Sequence, residues 1–278
     1  MPHGIPSTAR GISARTMART LEGRCALITG STQGLGLATA HTLAQAGCHI
    51  VLHGLATAGD VEAVRSAIAT RYGVRTIYAG ADLRDRDQIA DMMAEAEAAF
   101  GSVDVLVNNA VVRHTDPVDR FPVEQWDEAL AVNLSAAFHT IRLALPGMRR
   151  QTWGRIVNVS SIYGLTGAVD RAAYVTTKTA LIGLTRAVAL ELAGEDITCN
   201  AVCPGTTRTR VQASIDTLVA EAGLSRADAE RRVLSGKQPS GRLVAAEAVA
   251  ALVAFLCRPE SRDITGAALP IDGGWSAA

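Results

Sequence analysis

Residues 25–47 read CALITGSTQGLGLATAHTLAQAG, and the order of residue types in this run decides the fold. Cys25-Ala26-Leu27-Ile28 is an apolar stretch of strand length, Thr29 to Gly36 is a glycine-rich bend, and the Ala- and Leu-rich remainder is a helix. Backbone amides at a helix N-terminus approach a pyrophosphate only where no Cβ intervenes, which is why such a bend is built from glycine. The spacing Gly30-x-x-x-Gly34-x-Gly36 departs from the commoner Gly-x-Gly-x-x-Gly fingerprint and meets the same need. Within this stretch Gly30, Thr32, Gln33, Gly34, Leu35 and Gly36 are the candidate cofactor contacts. A plain structural turn is the competing reading, and its place between a first strand and a first helix favours the dinucleotide.

The rest of the chain repeats the alternation. His49–Leu52 is a second strand ending in His53-Gly54-Leu55, where a dinucleotide fold normally places an acid for the adenosine ribose or an Arg for a 2′-phosphate. Neither is present. With Gly54 at that point and no Arg or Lys between Thr29 and Arg65, the sequence favours NAD over NADP. Val74–Tyr78 reads as a third strand, followed by Asp82-Leu83 where an adenine would rest. Val103–Val107 is a fourth, ending in Asn108-Asn109-Ala110, whose amides either close one side of a crevice or simply make a turn. Asn133 interrupts the apolar helical stretch WDEALAVNLSAAFHTIRLAL, either as a kink with a backbone bond or as a functional amide. Further strands at 154–161, the first of them ending in the hydroxyls of Ser160 and Ser161, at 198–202 and at 267–271 complete an α/β, single-domain, doubly wound parallel sheet with helices on both faces. The polar helical insertion Thr206–Gln238, placed past the strand that ends at Pro204-Gly205, is positioned as a substrate lid.

The stretch SSIYGLTGAVDRAAYVTTK, Ser160 to Lys178, carries the chemistry. Tyr174 and Lys178 lie one helical turn apart and project from one face. An ammonium ~4 Å from a phenol favours the phenolate by up to ~4 kcal/mol at an effective dielectric of ~20, roughly three pK units as an upper bound. Such a pair passes a proton to or from an alcohol or carbonyl oxygen near neutral pH. In isolation, Tyr-x-x-x-Lys also arises as a lysine stem lying over a ring.

Composition narrows the function classes. Lys plus Arg equals Asp plus Glu at 27 each, so the net charge gives no reason to expect nucleic acid or an anionic membrane as partner. The richest apolar run, Val244–Cys257, is too short to cross a bilayer. Cys25, Cys48, Cys199, Cys203 and Cys257 have neither zinc-site spacing nor a disulfide pattern and read as buried thiols of a reducing, cytoplasmic compartment. His49 and His53 share a strand face but stand roughly 13 Å apart, too far to hold one ion, and no metal is expected. Residues 1–20 hold Arg10, Arg15 and Arg19 with no acid and no apolar period, so a disordered extension precedes a domain at 21–278. It is read as an incidental extension rather than a transit peptide, with Met17 as an alternative start.

With these residues in hand the chain resembles the short-chain dehydrogenase/reductase family over Leu21 to Trp275, a Rossmann-like fold. The resemblance rests on Thr29–Gly36, Asn108-Asn109-Ala110, Asn133, Ser161, Tyr174 with Lys178, and Pro204-Gly205. It implies that Tyr174 is the proton donor or acceptor, that Ser161 rather than Ser160 holds the substrate oxygen, and that Asn133 anchors a relay water. Lys178 is implied to bind the nicotinamide ribose and lower the tyrosine pKa. Cofactor contacts at Gly54, Asp82, Leu83, Asn109, Ala110, Pro204, Gly205 and Thr207 follow, and so does a homotetramer. Val111 stands where the family's amide motif normally continues with Gly. Within the family the chain is most similar to bacterial D-3-hydroxybutyrate dehydrogenases, through GSTQGLGLA, HIVLHG, GADL, NLSAAFH, ALPGM, KQPSGRL and DGGW. That group is NAD-dependent and also carries Gly at the position of Gly54.

The acid pocket of that group is altered here. Arg113, Tyr163, Arg171 and Ile215 occupy positions where it has Gln, His, Lys and Gln, and Trp275 closes the DGGW motif. Arg171, with help from Arg113, is expected to grip a carboxylate. The structural alternative pairs one or both arginines with Asp116, Asp119 or Asp170. The expected activity is an NAD(H)-dependent oxidoreductase interconverting a secondary alcohol and a ketone, most plainly a hydroxy acid and keto acid. Rival readings are 3-hydroxybutyrate dehydrogenase proper, a reductase of an uncharged ketone, and a catalytically silent nucleotide-binding regulator, against which the retention of Ser161, Tyr174 and Lys178 counts.

Overall fold

Seven strands form one sheet in the order β3-β2-β1-β4-β5-β6-β7. They are β1 (Cys25–Ile28), β2 (His49–Leu52), β3 (Thr76–Tyr78), β4 (Val105–Asn108), β5 (Gly154–Val159), β6 (Ile197–Pro204) and β7 (Ala268–Ile271). Every pairing is parallel. The chain therefore winds outward from β1 to β3, returns to lay β4 on the other side of β1, and winds outward again. That reversal opens a crevice at the carboxyl ends of β1 and β4. The computed structural model describes residues 19–278, so the expected disordered extension over 1–20 lies outside the described residues apart from Arg19 and Thr20.

Short apolar runs become strands here because both faces are covered. Alternation along β1 sends Ala26 and Ile28 into a core with Leu43, Ile68, Val249 and Val253, and Cys25 and Leu27 into a second core with Ile89, Met92, Ile141 and Met148. The first core lies under α1 (Gly34–Gln45), α2 (Ala58–Tyr72) and α9 (Ala246–Leu256), the second under α3 (Arg86–Phe100) and α5 (Ala136–Arg150). All five cysteines are buried and free. β3 starts at Thr76 rather than Val74, because the Arg75 N–H is taken by His49 Nδ1 instead of a neighbouring strand carbonyl. β6 runs longer than its apolar pattern, since β5 and β7 pair with it on either side.

Helix ends differ in a way that bears on function. At α2, Thr57 caps the start by accepting the Asp60 N–H; at α3, Asp85 accepts from the Asp87 and Gln88 N–H groups. Side-chain caps of this kind contribute about 1 kcal/mol each. α1 has no such cap: Gln33 makes no capping bond, and its first turn holds no acid. Its orphan amides are left for something else.

The insertion between β6 and α9 folds as α7 (Arg208–Ala222) and α8 (Arg226–Leu234), packed on each other. Its two ends meet. Thr207 bridges to Val244, and Gln238 accepts the Thr206 N–H while donating from Nε2 to the Arg242 carbonyl at 2.5 Å. The pair of helices thus hangs from one clamp at the carboxyl end of β6.

Candidate active site

At the carboxyl ends of the central strands a cavity of about 720 Å³ runs from the glycine turn to Tyr174 and Lys178. The turn adopts its shape through glycine. Gly30 and Gly34 have φ of 63° and 57°, and a Cβ on Gly36 would stand 2.2 Å from the Gly30 carbonyl oxygen. α1 therefore starts directly beneath the bend, with the uncapped amides of Gly34, Leu35 and Gly36 bordering the cavity. Anion binding at such a terminus follows from unpaired N–H groups and the helix dipole. The turn thus fits a pyrophosphate.

The paired amides do more than turn the chain. Thr29 Oγ1 accepts the Asn109 and Ala110 N–H groups at 2.9 and 3.0 Å, and Asn109 Nδ2 donates back to the Thr29 and Gly30 carbonyls. Asn108 continues the network inward, from Thr140 on α5 through Asn158 on β5 to Thr185 on α6 (Ala172–Glu191). β1, β4, β5 and two helices are thereby fixed in one register behind the cavity. Val111 lines the wall next to Ala110.

Asn133 sits in a π-helical segment, Ala131–Ser135, between α4 (Val123–Leu130) and α5. Its amide bonds both to backbone and to the helix that carries Tyr174, where Nδ2 lies 3.3 Å from Thr177 Oγ1. Asn133 Oδ1 accepts the Val112 N–H at 2.9 Å, and Nδ2 donates to the Val112 carbonyl at 3.1 Å. π segments often mark functional sites. Here the segment holds the loop that presents Arg113. A small cavity of about 10 Å³, lined by Asn133, Lys178 and Asn108 among others, adjoins it and is close to the space one water needs.

Ser161, Tyr174 and Lys178 meet at the far end of the large cavity, all nearly buried. Ser161 Oγ accepts the Tyr163 N–H at 3.2 Å, which orients the hydroxyl. Ser160 is committed elsewhere: its Oγ donates to the Lys178 carbonyl at 2.8 Å, pinning α6 against β5. Lys178 Nζ donates to the Val159 carbonyl at 2.7 Å and lies 5.9 Å from the Tyr174 ring centroid. Burial pushes the Lys178 ammonium down to about 8, with Arg113 pushing the same way and Tyr174 opposing. The Arg113 guanidinium stands 5.7 Å over the Tyr174 ring. Two cations thus flank one phenol.

Every residue assigned to the cofactor from sequence lines this cavity: Gly30 to Gly36 as named above, Gly54, Asp82, Leu83, Asn109, Ala110, Tyr174, Lys178, Pro204, Gly205 and Thr207. The substrate set divides. Arg113, Ser161 and Tyr174 line it, whereas Tyr163, Arg171, Ile215 and Trp275 do not. Tyr163 packs edge-on against Tyr174 at 6.4 Å and against Trp275 at 5.4 Å, an aromatic chain behind the phenol. Arg171 is the N-cap of α6 with φ −126° and ψ 27°, off the helical path, so its three-residue spacing from Tyr174 does not place it on the same helix face. Asp170, left-handed at φ 57°, bonds through its carbonyl to the Asp116 N–H and ties this segment to the Arg113 loop. Ile215 is fully buried in α7. Neither arginine forms an ion pair with Asp116, Asp119 or Asp170 among the described residues.

Three titratable residues that line the cavity carry no site assignment from sequence: His53, Arg84 and Glu128. Arg84 pairs with Asp82 at 2.5 Å and with Glu128 at 3.6 Å, and Glu128 also meets His114 at 2.8 Å. Hydrogen bonds from Arg84 hold the Asp82 carboxyl below the usual range. Only the chain crossing at β4 brings these residues together.

A doubly wound parallel sheet, a glycine turn over an uncapped helix and a Ser, Tyr and Lys at the same strand ends define a dinucleotide-fold oxidoreductase. The family model for short chain dehydrogenases matches residues 24–220. The chain belongs to that family. It is 42% identical to D-beta-hydroxybutyrate dehydrogenase of Cupriavidus necator over 92% of this chain and 99% of that protein. The enzyme of the same name from Rhizobium meliloti is 41% identical over 91% of this chain and 99% of its own. Among solved structures, L-sorbose reductase of Gluconobacter frateurii, complexed with NADPH and L-sorbose, superposes with a TM-score of 0.87 at 27% identity, covering 93% of this chain and 98% of that one. Among the described residues no helix is long and apolar enough to cross a membrane.

Proposed function

We propose that this oxidoreductase uses NAD(H) to interconvert a hydroxy acid and its keto acid. The observation that carries this reading is the single cavity joining the glycine turn to Ser161, Tyr174, Lys178 and Arg113. Gly30–Gly36 and the α1 amides would hold the pyrophosphate, Asp82 and Leu83 the adenine, and Lys178 the nicotinamide ribose. When bound, the nicotinamide supplies or accepts the hydride. Ser161 donates a hydrogen bond to the reacting oxygen, and Tyr174 gives that oxygen a proton in reduction or takes it in oxidation. Asn133 and the small cavity beside Lys178 supply the path by which the proton is exchanged with a water. α7 and α8 close over the substrate from their clamp at Thr206 and Gln238.

Carboxylate recognition moves from Arg171 to Arg113. Both acids that line the cavity, Asp82 and Glu128, are paired with Arg84, whereas Arg113 has no ion-pair partner among the described residues. A guanidinium beside the reacting phenol matches the planar fork of a carboxylate. NAD is favoured because the basic side chain nearest the adenine end, Arg84, is already held by two carboxylates, leaving a 2′-phosphate poorly paired. Following absorbance of the reduced nicotinamide with 2- and 3-hydroxy acids and their methyl esters checks the whole reading. We expect higher kcat/KM with NAD than NADP, preference for acid over ester, and a rise in KM for the acid of about tenfold in Arg113→Ala. Preference for the ester, or unchanged KM in Arg113→Ala, discards the carboxylate. Equal efficiency with NADP discards the cofactor choice.

We also infer a cytoplasmic homotetramer. Support comes from apolar side chains left in solvent on neighbouring helices: Val123 on α4 is 66% exposed, Phe138 on α5 49% and Leu190 on α6 79%. Light scattering on protein recovered from the soluble fraction should give a tetramer's mass. A monomer at micromolar concentration removes this inference.

A further inference from the structure

The last residue before Gly54 has a role that the cofactor geometry alone does not assign. His53 follows β2 and is nearly buried. Its ring sits between two loops of the cavity. Nδ1 lies 3.0 Å from the Gly30 nitrogen, and Nε2 lies 2.9 Å from the Ala81 carbonyl oxygen. A backbone N–H only donates and a carbonyl only accepts, so Nδ1 must carry a lone pair and Nε2 a proton. The neutral Nε2–H tautomer alone satisfies both. The backbone of the same residue completes the joint: the Ser31 N–H donates to the His53 carbonyl at 2.8 Å, and the His53 N–H donates to Ser31 Oγ at 2.9 Å.

We propose that His53 is the positioning residue of the dinucleotide turn, and that only its neutral Nε2–H form holds Gly30 and Ser31 in the binding shape. The proposal rests on the reading of this cavity as the cofactor site. Protonation puts an N–H at Nδ1 facing the Gly30 N–H across 3.0 Å, two donors with no acceptor between them. The turn must then shift. Burial already holds the imidazole below its ordinary pKa, and the Ala81 bond opposes this only in part. No charged side chain lies in the turn from Thr29 to Gly36. Beyond Ala81, Asp82 and Arg84 neutralise each other, and the Tyr78 hydroxyl is spent on the Gly54 carbonyl. Arg113, Glu128 and Lys178 are the other charged residues that line the cavity. The sign follows: the competent form exists above the His53 pKa, so affinity for the dinucleotide falls as pH drops through it, by up to about tenfold per pH unit for one proton.

The test uses the full-length protein. Isothermal titration with NAD and NADH between about pH 5 and 8 gives Kd against pH. Long-range proton–nitrogen correlation on histidine-labelled protein reads the tautomer, with His53 assigned by the signal lost in His53→Asn. We expect the Nε2–H tautomer, a pKa below about 6.5, and a Kd that climbs on acidification through that same pKa. His53→Asn keeps an acceptor and a donor without titrating, so its Kd should stay level with pH; His53→Gln is the second such variant should the first melt early. His53→Phe, judged beside its melting temperature, should weaken binding more than about tenfold at neutral pH. An Nδ1–H tautomer overturns the proposal. So does affinity that is level through the titration, or that rises because the imidazolium attracts the pyrophosphate. If the wild type binds neither NAD nor NADP at neutral pH, the cofactor reading falls and this proposal with it, whereas pH-independent binding overturns this proposal alone.

Discussion

Tyr174→Phe should lower kcat by at least about a hundredfold, the low end of what general acid–base catalysis contributes, while leaving dinucleotide affinity and melting temperature close to wild type. The argument starts from what the ring does structurally. Tyr174 is the third residue of α6 and is 4% exposed, with Tyr163 edge-on to it and Lys178 and Arg113 near its faces. Phenylalanine keeps that ring, its packing and both cation contacts. The oxygen is all that is lost, and with it the proton that the substrate oxygen must gain or lose. A hundredfold is about 2.7 kcal/mol of transition-state stabilisation. Stopped-flow measurement of the hydride step with NAD and the best hydroxy acid reads this directly, and fluorescence titration with NADH reads the binding. Retention of more than about a hundredth of the wild-type rate would remove Tyr174 from the acid–base role.

Such a prediction could be framed from sequence because its residues are tied to local backbone rules. The glycine turn is a local requirement of φ and close approach, and Tyr174 with Lys178 is a spacing on one helix. Both depend on few neighbours. Asn109 and Ala110 stand out in the sequence by their position at a strand end, although their bonds to Thr29 require β1 and β4 to be adjacent, which no local pattern states. The sequence leaves Asn133 open between a kink and a functional amide, since its partner Val112 is 21 residues away. The substrate side was least legible. Arg171 leaves the helix path beside the left-handed Asp170, and Ile215 turns inward on α7; both depend on how loops and lid pack, where the chain varies most freely. In the sequence His53 marks the place of a missing acid and shares a strand face with His49, and neither fact gives it a role. Its hydrogen bonds reach Gly30 and Ala81, 23 and 28 residues distant, and a sequence shows neither.

Lys178→Met is expected to cost at least about a hundredfold in kcat/KM and, unlike Tyr174→Phe, to weaken NADH binding as well. Lys178 is 2% exposed, and its ammonium donates to the Val159 carbonyl at 2.7 Å beside the phenol. Placing a cation there is unfavourable, which is why burial, helped by Arg113, brings its pKa from 10.5 to about 8. The free enzyme should therefore show an alkaline limb in kcat/KM near pH 8, as the charge that favours the phenolate is lost. Arg113→Met removes a like charge, so the limb should move to higher pH. The same shift predicts a signature in stability. Between about 8 and 10.5 the unfolded chain holds the Lys178 proton and the native protein does not, so this residue's penalty is complete below that window and relieved as pH rises through it. Measured by urea denaturation, the stability of Lys178→Met relative to wild type should decline on going from pH 8 to 10, by roughly 1 kcal/mol per pH unit. Comparing the two proteins cancels the thiols, whose raised pKa values act oppositely in both. A level difference across that range would mean that the buried ammonium is not the strained charge, and a Lys178→Met variant that binds NADH as tightly as wild type would mean that it is not the ribose contact assigned to it.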